Sequence, residues 1–203
     1  METDAEKLAY KEKMARRKAV QDAAVAARKI EEKGLLIVNT GDGKGKSTSG
    51  FGLLMRAMGH GFKVGVVQFI KGTWDTGEKR AFARFEDQLV WRTMGEGFTW
   101  ETQDRDRDIA AARAGWQAAL ELMADPEIRL VLLDELNIAL RYDQLPIDEV
   151  VAALQARRPS LHVVVTGRNA KPELIEAADL VSEVKAIKHP FAVGVKAQAG
   201  IEF

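Results

Sequence analysis

The sequence predicts an α/β fold with a mostly parallel central sheet and helices on both faces. Three observations carry this expectation. The run Leu35-Leu36-Ile37-Val38 is continuously apolar, the pattern of a strand buried on both faces. Phe51, Leu54, Met55 and Met58 then fall at i, i+3, i+4 and i+7, one face of a helix. Further apolar strands over residues 63–70, 129–133 and 161–166 are separated by helical patterns, as βαβ units require.

Between the first strand and the first core helix lies Thr40-Gly41-Asp42-Gly43-Lys44-Gly45-Lys46-Ser47-Thr48. A strand, a glycine-rich turn, Lys-Ser and a helix together make a phosphate cradle. The glycines let backbone N–H groups turn inward around an anion, and the helix N-terminus adds partial positive charge. Lys46 would neutralise phosphate oxygens and the Ser47 hydroxyl would ligate Mg²⁺. The match to G-x-x-x-x-G-K-[ST] is imperfect: the first glycine position holds Thr40, Gly41 lies one residue nearer, and Asp42 and Lys44 bring charge into the loop. A glycine-rich loop without a ligand is the bland alternative, but it needs neither Lys-Ser nor a helix starting there. The altered spacing points to nucleotide binding and counts against ordinary γ-phosphate hydrolysis.

Before the cradle, residues 1–33 read as a basic helical or disordered arm, stopped by Gly34. Val20, Ala23, Ala24, Ala27 and Ile30 give its second half a weak apolar stripe. It is either a solvated helix or an arm that orders over a ligand. The remainder, residues 34–203, is expected to be one domain. The turn Gly59-His60-Gly61 introduces the second strand, residues 63–70, followed by the polar loop Lys71-Gly72-Thr73-Trp74-Asp75-Thr76-Gly77-Glu78 at the edge where open α/β sheets bind ligands. A weaker strand over residues 89–94 precedes Gly95-Glu96-Gly97-Phe98-Thr99-Trp100-Glu101-Thr102. Phe98 and Trp100 in a glycine-flanked loop must bury against something, either as core plugs or as a flat platform for a ligand.

A long helix over residues 104–124, with Ile109, Trp116, Leu120 and Met123 inward, ends at Asp125-Pro126. Arg129-Leu130-Val131-Leu132-Leu133-Asp134-Glu135 then puts two carboxylates at the C-terminal tip of a central strand. That tip lies beside the nucleotide's metal in proteins with a phosphate-cradling loop, so Asp134 and Glu135 are candidate Mg²⁺ residues. Capping of a following helix is the alternative. A helix begun near Pro146 and ended before Pro159, marked by Ile147, Val150, Val151 and Leu154, the strand 161–166, the turn Gly167-Arg168-Asn169, a short helix over 173–178 and a strand over 180–187 follow. The Arg168 guanidinium is either a surface charge or a phosphate or ribose contact. His189 reads as structural. The last residues have too little periodicity to assign.

Composition sets the outer bounds. The 203 residues are 46% hydrophobic with a formal net charge of zero, so nothing draws the whole chain to nucleic acid or anionic membrane. The absence of cysteine excludes disulfides, thiolate nucleophiles and cysteine-ligated metals, and fits a reducing compartment. No apolar stretch reaches the roughly 18–20 residues needed to span a bilayer, and no secretory signal is visible. A cytoplasmic protein is expected.

The cradle Gly41 to Thr48 resembles that of the corrinoid adenosyltransferases of the ATP:cob(I)alamin type. So do Val66-Val67-Gln68-Phe69-Ile70-Lys71-Gly72-Thr73-Trp74, Gly97-Phe98-Thr99-Trp100-Glu101-Thr102, Leu133-Asp134-Glu135-Leu136 and Val165-Thr166-Gly167-Arg168. The closing region, with Lys188-His189 and Gly194-Val195-Lys196-Ala197-Gln198, is similar too. The resemblance implies a RecA-like P-loop NTPase fold and transfer of the 5′-deoxyadenosyl group of ATP to Co(I) of a corrinoid, cob(I)alamin or cob(I)yrinic acid a,c-diamide, with release of triphosphate. It implies that Gly41, Asp42, Gly43, Lys44, Gly45, Lys46, Ser47 and Thr48 wrap the triphosphate, with Arg168 near the nucleotide. Lys46, Glu135, Phe98 and Trp100 are the implied catalytic groups, with Ser47, Glu135 and Asp134 serving Mg²⁺. Phe98 and Trp100 are implied to pack against the corrin's lower face and ease reduction of Co(II) to Co(I). A basic arm folding over the corrinoid, a homodimer, and a flavin-dependent reductase or reduced flavodoxin as electron donor are implied as well. Asp42 stands where members of that family often have Asn, and the arm matches only loosely. An ATPase or small-molecule kinase with a RecA-like fold would use the same cradle and acids but would leave the aromatic loop without a task.

Overall fold

The computed structural model describes residues 2–30, 32–70, 76–94 and 104–202. They form two compact units, Met1–Lys33 and Gly34–Phe203. In the first, α1 spans Asp4–Ala26. Thr3 and Glu6 cap it reciprocally, and the Thr3 donors hold the Glu6 carboxyl below its ordinary range. No residue of α1 is buried, and the Val20–Ile30 stripe stays exposed. The helix is held by its cap and by pairs such as Lys18 with Asp22 at 2.5 Å.

The second unit runs β1 (Leu36–Thr40), α2 (Lys46–Gly59), β2 (Lys63–Gln68), α3 (Gly77–Phe82), β3 (Leu89–Thr93), α4 (Arg105–Ala124), β4 (Ile128–Asp134), α5 (Leu136–Arg141), α6 (Ile147–Gln155), β5 (His162–Thr166), α7 (Pro172–Ala177) and β6 (Leu180–Glu183). The strands form one sheet in the order β3-β2-β4-β5-β1-β6, and every pairing is parallel. β5 therefore stands between the strand that feeds the cradle and the strand that carries the acids. This is the α/β arrangement with a parallel central sheet that the sequence predicts.

Strand residues alternate between two cores, one on each face. Ile37, Val64, Val66, Leu130, Leu132 and Val164 pack with Phe51, Leu54, Ala57 and Met58 of α2 and Phe82 of α3. Val38, Val67, Val131, Leu133, Val163 and Val165 pack with Trp116, Leu122 and Met123 of α4, Leu136 and Leu140 of α5, Leu154 of α6 and Leu174 of α7. Central strands with both faces covered require the near-continuous apolar runs seen in the sequence. Trp91 stacks on Phe51, with ring centroids 5.4 Å apart, and so ties β3 to α2.

Several local expectations shift. On α2, Ala57 is buried where the spacing pointed to Met55, which is 44% exposed. The helix turns Met55 past the sheet because the contact is centred on Leu54 and Met58. On α4, Leu122 and Ala119 are buried, whereas Ile109 and Leu120 are only half-buried. The second strand ends at Gln68 rather than at residue 70, and the last strand at Glu183 rather than at 187. Each ends on a polar residue, with one further backbone bond to the neighbouring strand just beyond it, from Phe69 N–H to the Asp134 carbonyl at 3.0 Å and from Val184 N–H to the Thr40 carbonyl at 2.8 Å. The short helices α3 and α5 lay in stretches read as loop or left unassigned.

At the N-terminal edge two arginines bind the turns. Arg157 donates to the carbonyls of Leu154, Gly34 and Leu161 and meets the Asp179 carboxylate at 3.1 Å, and that carboxylate accepts the Leu36 N–H at 2.8 Å. Arg158 donates to the carbonyls of Asp125 and Ile128 at 2.7 Å each and reaches those of Met123 and Pro126. Among the described residues no helix is long and apolar enough to cross a membrane.

Candidate active site at the C-terminal edge of the sheet

On the face toward α2, the last side chain of each of five adjacent strands is polar: Thr93 of β3, Gln68 of β2, Asp134 of β4, Thr166 of β5 and Asn39 of β1. Each lies two residues beyond an apolar residue of the α2-side core, so strand alternation alone directs it there. The register aligns Thr93 with Gln68, Gln68 with Asp134, and Thr166 with Asn39. Gln68, Asp134, Thr166 and Asn39 are buried and Thr93 is half-buried, yet most of the row is satisfied. Trp91 donates its indole N–H to Gln68 Oε1 at 3.1 Å and to Thr93 Oγ1 at 3.2 Å. Gln68 Nε2 donates to Asp134 Oδ2 at 3.2 Å, and Thr166 Oγ1 donates to Asp134 Oδ1 at 2.8 Å.

The sequence marked Asp134 and Glu135 together, and the structure gives them different settings. Asp134 has no exposed surface and both its oxygens accept hydrogen bonds. Glu135 is half-buried and occupies the left-handed region at φ 63°. It is the residue that starts α5, but its side chain makes no capping hydrogen bond. Its N–H instead donates to Thr166 Oγ1 at 3.0 Å. Gly167, at φ 125°, passes directly beneath. A Cβ there would stand 2.8 Å from Asn137 Cβ and 3.1 Å from Glu135 Oε2.

The cradle follows β1. Gly41, at φ 98°, has no room for a side chain, since a Cβ would lie 2.4 Å from the Val184 carbonyl oxygen. That crowding comes from the chain after β6: Gly43 N–H donates to the Val184 carbonyl at 2.7 Å, and Val184 N–H to that of Thr40 at 2.8 Å. Gly45 starts α2 and offers no side-chain cap, so the first-turn N–H groups of Lys46, Ser47 and Thr48 gain no partner from the cap residue. Lys46 is 7% exposed and donates to the Gly43 carbonyl at 2.6 Å. Burial pushes its ammonium pKa down. Glu135 and Asp42 oppose that shift, while Arg168 and Lys44 add to it. The ammonium thus lies within the electrostatic reach of three separate segments.

Ser47 is half-buried and Thr48 exposed on the first turn of α2, while Asp42 and Lys44 are exposed in the loop. Lys44 forms an ion pair with Glu202 near the C-terminus. Arg168 is exposed, and its Nη2 reaches the Asp42 carbonyl at 3.4 Å, so the Gly167-Arg168 turn borders the cradle. Phe98 and Trp100 lie outside the described residues, as does the Lys71–Asp75 stretch. His189 accepts the Phe191 N–H at 3.2 Å and caps a 3₁₀ turn, a structural task.

Sequence reading missed Gln68, Thr166, Trp91, Asn39 and Asn137. The Asn39 side-chain nitrogen and the Asn137 side-chain oxygen are buried without a hydrogen-bond partner among the described residues. A polar residue closing each apolar strand was the available signal, since a buried amide or hydroxyl at such a position is costly unless it is used. A Mg²⁺ ion fits the donor chemistry. Serine hydroxyl and carboxylate oxygens are hard ligands, and Mg²⁺ takes one or two protein carboxylates and completes its shell with substrate phosphates and water.

The chain matches, over residues 32–203, the family model described as ATP:corrinoid adenosyltransferase BtuR/CobO/CobP. Residues 1–25 match a model described as cob(I)alamin adenosyltransferase N terminal. A corrinoid adenosyltransferase of Pseudomonas aeruginosa is 56% identical over 194 residues, covering 96% of this chain and 95% of that one. One of Escherichia coli K12 is 47% identical, covering 96% and 97%. Among solved structures, the flagellar accessory protein FlaH of Methanocaldococcus jannaschii aligns at a TM-score of 0.49 and 12% identity over 75% of this chain and 71% of that one. With a family model spanning the whole second unit and relatives aligned almost end to end, the chain belongs to the ATP:corrinoid adenosyltransferase family.

Proposed function

We propose that this chain transfers the 5′-deoxyadenosyl group of ATP to the Co(I) centre of a reduced corrinoid and releases triphosphate. The supporting observation is the buried Lys46 ammonium, within reach of Glu135 and Arg168 from two other segments. Such a locus suits a highly charged anion, and the family assigns that anion and its acceptor. The electron pair of Co(I), the substrate's own metal, forms the bond to C5′. The C5′–O5′ bond breaks, and its electron pair leaves with triphosphate. No protein side chain has to attack, so the protein's work is positioning, neutralising the leaving group and excluding water.

In that reading the backbone of Gly41 to Thr48 wraps the triphosphate, and Lys46 supplies its main counter-charge. Arg168 lies at the outer side of the nucleotide. Ser47 and Glu135 hold Mg²⁺, with Asp134 in support. The ion, when bound, contributes several kcal/mol of charge stabilisation on the departing oxygens. Phe98 and Trp100 present apolar surface to the corrin's lower face and keep a lower axial ligand off cobalt. The acceptor is cob(I)alamin or cob(I)yrinic acid a,c-diamide. A flavin-dependent reductase or reduced flavodoxin supplies the electron, and the enzyme works as a cytoplasmic homodimer.

The test is incubation of purified protein with ATP, Mg²⁺ and chemically reduced corrinoid. Adenosylcorrinoid and triphosphate in equal amounts are expected. ADP and phosphate without adenosylcorrinoid would overturn the reading.

A further inference from the structure

We propose that Thr166, backed by Gln68, is the positioning residue of the metal-side carboxylates: it orients Asp134 and holds the backbone of Glu135 in the conformation that presents its side chain. This rests on the reading of those two acids as the Mg²⁺ side of the site.

Two hydrogen-bond chains converge on Asp134, one from Trp91 through Gln68 and one from the Glu135 N–H through Thr166. An indole N–H can only donate. Trp91 therefore requires the Gln68 carbonyl oxygen on its side, 3.1 Å away, which turns the Gln68 NH₂ toward Asp134 at 3.2 Å. Thr166 has one hydroxyl proton. Its hydroxyl oxygen accepts the Glu135 N–H at 3.0 Å, and its proton goes to Asp134 Oδ1 at 2.8 Å. Asp134 thus accepts on both oxygens. The chain through Thr166 starts from the main-chain N–H of Glu135, a residue whose φ of 63° a non-glycine side chain rarely adopts. Such a conformation persists only when its surroundings over-determine it. Thr166 is also the α2-facing end of β5, the strand between the cradle and the acids, so it can touch both carboxylate residues at once. A valine would preserve its shape and abolish both bonds.

The test measures ATP affinity by calorimetry with and without Mg²⁺, in the absence of corrinoid, for the full-length chain. Wild type should bind ATP more tightly when Mg²⁺ is added. Thr166→Val should lose about tenfold of that metal-dependent gain, the scale seen when partners behind a metal ligand are removed. Its metal-free ATP affinity should remain, and Thr166→Ser should restore the gain. If Thr166→Val does not fold, Gln68→Met, which removes the outer donor to Asp134 and leaves Trp91 its second acceptor, Thr93, should show a smaller loss of the same kind. An undiminished gain in the variants, no gain in wild type, or an equal fall in metal-free and metal-dependent binding overturns the proposal. Adenosylcorrinoid formation by wild type is read separately, so a failure here leaves the proposed reaction standing, and a failure of the reaction is visible by itself.

Discussion

Lys46 answers two opposed demands. It must stay charged to hold phosphate, yet it is 7% exposed and burial pushes its pKa below the usual lysine value of 10.5. The folded, ligand-free state thus binds its proton less tightly than the unfolded state. From this group, stability rises as pH climbs from the lowered value to the ordinary one. An anionic triphosphate favours the charged form, so ATP affinity should fall as pH rises through the lowered value. The alkaline loss should therefore begin before an exposed lysine would titrate, which calorimetry across an alkaline pH series checks. Lys46→Met should weaken ATP binding roughly 10- to 100-fold, the size of a lost hydrogen bond to a charged group. Because it also removes a buried charge, the melting temperature should be kept or raised. Gly167 sets a similar limit: its neighbours, Asn137 and the Glu135 carboxylate, leave no volume for even a methyl group.

Among the elements, the sheet divides its labour between its two edges. Its C-terminal edge carries the polar row from Thr93 to Asn39, with two orphaned amide atoms nearby. Its N-terminal edge is closed by Arg157 and Arg158, whose guanidinium groups go mostly to carbonyls of turns. Arg158 joins the end of α4 to the start of β4. Replacing it with Met should lower unfolding free energy by about 2 kcal/mol, because half-buried carbonyls lose a charged donor. Urea denaturation measures that loss. MgATP affinity should be unchanged, since the substitution lies at the edge opposite the cradle. A matching fall in affinity would contradict this separation. Helix α2 is the element that couples the edges: its apolar stripe packs along the sheet and its first turn carries Lys46 and Ser47.

At the scale of the whole molecule, the unit Gly34–Phe203 contains both hydrophobic clusters, whereas α1 buries no residue. A chain beginning at Gly34 should therefore unfold cooperatively with a melting temperature within a few degrees of the full-length value, as expected when no buried apolar area is removed. Scanning calorimetry checks this. MgATP binding should persist in the shortened chain, and any loss should appear only when corrinoid is added. A collapse of the transition would show that the arm is part of the folding unit.

Sequence alone determined the α/β class, the cradle, the acid-tipped strand and the family resemblance, because each is written in contiguous residues. An apolar run buried on both faces, Gly-rich spacing before Lys-Ser, and Asp-Glu after four aliphatic residues are local patterns. Tertiary structure decided what depends on strand order. Only the placement of β5 between β1 and β4 brings Thr166, about thirty residues beyond Asp134, against both acids. Only the pairing of β2 with β3 sets Trp91 behind Gln68. The crowding of Gly41 by Val184, the ion pair of Lys44 with Glu202, and the burial of Ala57 in place of Met55 are long-range in the same sense. Hydrogen bonds and close contacts act over a few ångströms of space, and separation along the chain carries no record of which residues the sheet will bring together.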